Sequence, residues 1–114
     1  MMYVDFVAKG NTYKLRLNTR DVVNLEKQLG CNPMAIFGAT GKTIPTVTTM
    51  AQILHASLQA YNHGITLDRA YDIFDGWLED GHAMTDFISV IIDIYKVSGI
   101  IPAEVEAEGT EVKN

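Results

Sequence analysis

Residues 14–33 read KLRLNTRDVVNLEKQLGCNP, an alternating strand that passes through a two-residue polar joint into a short amphipathic helix. Few arrangements satisfy such a block, because the strand's apolar face and the helix's apolar stripe must be covered together. Asn18 or Thr19 can cap the helix, Asp21 suits its positive end, and Val22, Leu25 and Leu29 follow helical spacing up to Gly30. Asn32 and Pro33 then open a further helical turn.

Upstream, Tyr3–Ala8 and Tyr13–Leu17 both alternate with a period of two. A β-hairpin over residues 3–17 follows, with Gly10 and Asn11 expected at its turn because both tolerate positive φ. Downstream, apolar residues recur every three or four positions, which predicts helices at about 20–29, 33–37, 46–62, 67–80 and 84–98. Thr46 and Thr66 stand where caps belong, and Gly38–Thr46 reads as a loop. In the last helix Phe87, Ile88, Ile91, Ile92, Ile94 and Tyr95 cover more than half the circumference, so it is central or meets a partner. From Pro102 the chain turns acidic and poor in apolar residues, which predicts a disordered tail over 102–114. The expected fold is a single α+β domain over residues 1–101, mainly α-helical: an N-terminal hairpin, four to five helices and a flexible acidic tail.

Chemistry is sparse by comparison. Gly38–Thr43, GATGKT, ends like a phosphate-binding loop, but Ile36 stands where that motif needs its first glycine and no buried strand leads in. His55, His63 and His82 lack metal-ligand spacing, and the single cysteine, Cys31, has no partner for a disulfide or a metal pair. Asp68, Asp72, Asp75 and Glu79 fall together on one helix face, where water keeps carboxylates ordinary and unsuited to acid/base work. No catalytic residue, cofactor or metal is expected, and the chain reads as a protein other than an enzyme.

Charge points toward association. Residues 1–42 hold Lys9, Lys14, Arg16, Arg20, Lys27 and Lys42 against Asp5, Asp21 and Glu26. Residues 43–101 hold only Arg69 and Lys96 against Asp68, Asp72, Asp75, Glu79, Asp80, Asp86 and Asp93. Opposite signs in the two halves favour head-to-tail self-association or a basic partner for the acidic half. No basic cluster interleaved with aromatics is present, so nucleic acid is not an expected partner. No apolar run is long enough to span a bilayer, and the start MMYVDFVAKG lacks the pattern of a signal peptide; a cytoplasmic protein is expected. Helical apolar surface is generous for so small a domain, and Met50, Leu54, Leu58 and Tyr61 of the 46–62 helix with Phe87, Ile91 and Tyr95 of the 84–98 helix are the expected protein-contacting residues.

The order of KLRLNTRDVVNLEKQLGCNPMAIF, ILHASLQAYNHGIT, AYDIFDGWLEDG and IDIYKVSGII resembles the tail assembly chaperones of long-tailed bacteriophages, in the small form found in phages and prophages of Gram-positive bacteria. The resemblance covers most of residues 13–101 and carries no catalytic motif. It implies a non-enzymatic factor of virion morphogenesis that binds the tape measure protein and assists tail tube polymerisation in the host cytoplasm, then is absent from the mature virion. In many phages a ribosomal frameshift adds an extension that recruits tail tube protein, a second implied partner. The competing expectation is a structural tail or head-tail connector protein of the virion.

Overall fold

The computed structural model describes residues 2–103. Strands β1 (Val4–Ala8) and β2 (Asn11–Leu15) form a two-stranded antiparallel sheet, followed by α1 (Thr19–Leu29), a 3-10 turn (Pro33–Phe37), α2 (Val47–Leu58), α3 (Leu67–Glu79), a second 3-10 turn (Met84–Asp86) and α4 (Phe87–Val97). This is the expected α+β, mainly α architecture. Of the tail expected over 102–114, residues 104–114 lie outside the described residues.

The helix boundaries follow their caps. The backbone N–H of Asn18 donates to the Asp21 carboxylate at 3.0 Å, and that of Gly30 to the Glu26 carbonyl at 2.8 Å. Thr46 and Thr66 accept from the N–H groups of Thr49 and Arg69, and Asn32 from Met34, so the starts of α2, α3 and the first 3-10 turn each have one otherwise unpaired donor satisfied. α2 stops at Leu58, short of the Asn62 expected from periodicity. Gln59 explains the early stop: its amide donates to the carbonyls of His55 and Ile65 and accepts from the Gly64 N–H, pinning the following turn.

The hairpin turn is also displaced by one residue. Ala8 pairs with Asn11, which leaves Lys9 and Gly10 as the two-residue loop, both at positive φ (51° and 78°). Lysine tolerates this conformation poorly. Here α3 holds it: the Lys9 N–H donates to Asp80 at 2.8 Å, and its ammonium lies 3.2 Å from Glu79. Gly76 permits the approach, since a Cβ there would sit 3.0 Å from Lys9 Cγ.

The sheet's inner face carries Phe6, Ala8 and Leu15, which join residues of all four helices in one core. Phe6, Phe74, Trp77 and Phe87 form an aromatic cluster with centroid separations from 4.9 Å (Phe74–Phe87) to 5.9 Å (Phe6–Phe87), and His82 stacks on the outer face of Trp77 at 4.5 Å. The polar joint after β2 fastens the hairpin to the end of α4. The Arg16 guanidinium donates to the carbonyls of Val97 (2.6 Å) and Met2 (2.9 Å), and the Leu17 N–H to the Ser98 hydroxyl (2.8 Å). A cation at a helix C-terminus also answers the negative end of its dipole.

Tyr95 ties α4 to the 3-10 turn, its buried hydroxyl donating to the Pro33 carbonyl at 2.9 Å. Burial first, and the nearby Cys31 second, push this hydroxyl far above the ordinary tyrosine value of 10.0. The unfolded chain therefore ionises Tyr95 before the folded one does. Its contribution is full below about pH 10 and declines as pH rises above that. Urea titrations from pH 8 to 11.5 check this: Tyr95→Phe costs about 1 kcal/mol at neutral pH through the lost hydrogen bond, and its stability falls less steeply than the parent's above pH 10.

Candidate interaction surface

α4 presents apolar residues in two directions. Phe87, Ile91, Ile94 and Tyr95 face the core, while Ile88 and Ile92 are half-buried on its outer side. Ile88 and Ile92 line a groove of about 530 Å³ with Met34 and Phe37 of the first 3-10 turn, residues 38–41, and Ile101. Among the described residues no charged side chain lines it. The groove wall formed by residues 38–41 is held by its own backbone: the Thr43 N–H donates to the Phe37 carbonyl at 2.9 Å and the Gly41 N–H to the Gly38 carbonyl at 3.2 Å. Those two donors are turned into the loop, and a 3-10 turn rather than a strand leads into it, so GATGKT lacks the preceding strand of a phosphate-binding loop.

A second groove, of about 380 Å³, runs between α2 and α3 and is lined by Val47, Thr48, Ala51, Tyr71, Phe74, Asp75, Leu78 and Met84. Val47, Tyr71 and Met84 are among the exposed large apolar residues of the chain. Asp68, Asp72, Asp75 and Glu79 are exposed along the neighbouring face of α3. Glu79 meets Lys9, whereas among the described residues Asp68, Asp72 and Asp75 have no ion-pair partner.

The chain's relationships bear on both grooves. The profile of DUF6096, a family of unknown function, matches residues 6–112. The chain belongs to DUF6096. No curated protein and no solved structure matches it. The match to DUF6096 takes in most of β1, all of β2 and all four helices, and with them every residue of the two grooves.

Six of the residues expected to contact a partner belong instead to this domain's own core. Met50, Leu54, Leu58, Phe87, Ile91 and Tyr95 are each at most 2% exposed. The reason is geometric: α2 lies under α1, α3, β2 and α4, so its apolar residues are covered from several sides by the same chain. Only Tyr61 is open, 43% exposed, and it packs edge-on against Tyr3 at 5.5 Å with the Lys14 ammonium over both rings. The apolar patch that periodicity did not single out is Met34, Phe37, Ile88, Ile92 and Ile101. Its trace in the sequence is the excess apolar coverage of the last helix, more than one face can use.

His55, His63 and His82 are spread over the ends of α2 and α3, and among the described residues no three histidine, cysteine or acidic side chains gather as metal ligands would. Cys31 is exposed beside the 3-10 turn. Among the described residues no helix is long and apolar enough to cross a membrane.

Proposed function

We propose that this DUF6096 member is a non-enzymatic tail assembly chaperone of a long-tailed phage or prophage, binding the tape measure protein while tail tube subunits polymerise around it. The observation that carries the reading is the order of strand, joint and helices from Lys14 to Ile101, which resembles that group. The apolar groove on the outer side of α4 supports it, because a long helical client exposes apolar stripes that fit such a groove in the helix-in-groove manner. Ile88, Ile92, Met34 and Phe37 then make the contact, in place of the core-facing residues of the same helix.

Coexpression with the tape measure protein encoded beside it provides the test. The client becomes soluble with this chain and stays insoluble without it; equal insolubility in both cases sinks the reading. Met34→Gln with Ile92→Gln abolishes the effect while shifting the domain's own stability by no more than about 1 kcal/mol, since neither residue is fully buried. Mass spectrometry of mature particles separates this reading from a structural tail or connector protein, which would be retained in them.

A further inference from the structure

We propose that the chain associates with itself head to tail, the basic outer face of α1 in one copy seating in the acid-rimmed apolar groove between α2 and α3 of the next. The two faces match in pattern and in charge. On α1, Arg20, Val23 and Lys27 are exposed at i, i+3 and i+7; on α3, Asp68, Tyr71 and Asp75 are exposed at the same intervals. Each helix thus shows two like charges about 10.5 Å apart along its axis, with an apolar residue between them. Val23 is 42% exposed and Tyr71 46%.

Nothing among the described residues consumes these charges. Among the described residues Arg20, Lys27, Asp68 and Asp75 have no ion-pair partner. The Asp21 carboxylate, next to Arg20 in sequence, is half-buried and occupied with the Asn18 N–H. Glu26 lies on α1 outside the Arg20–Val23–Lys27 stripe. On the acceptor side Val47 and Met84 extend the apolar floor around Tyr71.

Because α1 and α3 are separate helices that each pack on α2, donor and acceptor are different patches. Such a contact is heterologous, and repeated copies build a ring or an open filament rather than a two-fold dimer. A patch this small binds weakly, and salt screens it.

Analytical ultracentrifugation of the full chain tests this. At low ionic strength the average mass rises above 12.6 kDa with concentration, and it returns toward that value at about 0.5 M salt, where the Debye length is only a few ångströms. Two variants block one face each: Asp68→Lys with Asp75→Lys, and Arg20→Gln with Lys27→Gln. Each alone stays monomeric, and an equimolar mixture forms dimers and nothing larger, because one intact donor meets one intact acceptor. A wild-type chain that is monomeric at every concentration overturns the proposal, as do blocked variants that associate like the parent or a mixture that stays monomeric. Circular dichroism confirms folding of each variant, and Asp68→Asn with Asp75→Asn replaces the lysine pair if that pair unfolds. The assay uses no client, so its outcome is separate from that of the coexpression experiment.

Discussion

Phe87→Ala lowers the stability of the domain by about 3–5 kcal/mol, the usual cost of emptying a buried aromatic site. Phe87 is 0% exposed and touches rings from the hairpin (Phe6) and from α3 (Phe74 and Trp77). Removing it leaves three aromatic side chains around a void that none of them can fill without leaving its rotamer. Domains of this size hold only about 5–15 kcal/mol in all, so the variant populates unfolded chain at physiological temperature. Urea denaturation reads the change directly. A Phe87→Ala protein with unaltered stability and a specific loss of partner binding would return this residue to the surface role that its spacing suggests.

Arg16→Ala should follow at about 1.5–3 kcal/mol, in the range measured for hydrogen bonds to a charged group. Its guanidinium is the donor to both the Val97 and Met2 carbonyls, and its Nε donates to Asn18 Oδ1 at 3.0 Å. Removing it uncouples the polar joint from the end of α4 and leaves the partly buried Val97 carbonyl without its short bond. Arg16→Lys recovers only part of the loss, because an ammonium cannot reproduce three donors held in a plane. Hydrogen exchange locates the effect: the amides of β1 and β2 exchange faster in Arg16→Ala, whereas those at the centre of α2 follow the global stability alone.

Helix starts were legible in the sequence wherever the cap is local. Asp21, Asn32, Thr46 and Thr66 each act within three residues of themselves, and the helix or turn that each caps begins beside it. The hairpin turn was not legible, because positive φ at Lys9 is held by Asp80, 71 residues away, and no local pattern records that bond. The end of α2 was hidden for a related reason. Periodicity continues through Tyr61, but the Gln59 side chain closes the chain back on itself before then.

The candidate surface shows the same divide. Apolar spacing identifies which side of a helix avoids water, but not whether its cover is the same chain or another. Met50, Leu54 and Leu58 find theirs within the domain, while Ile88 and Ile92, on the same helix as buried Phe87 and Ile91, are left half-open. Telling those two pairs apart requires knowing which side of α4 the hairpin and α2 occupy.

The bond from Arg16 to Val97 bridges 81 residues. A ribosome adding about 5–20 residues per second takes roughly 4–16 s to cover that distance. Through that interval Phe6, Ala8 and Leu15 are already made, but the helix that fastens the hairpin in place is still unwritten. The newborn N-terminus is therefore an unguarded two-stranded edge for seconds. A copy truncated before α4 should be caught by the cell's folding machinery rather than accumulate as a smaller stable domain.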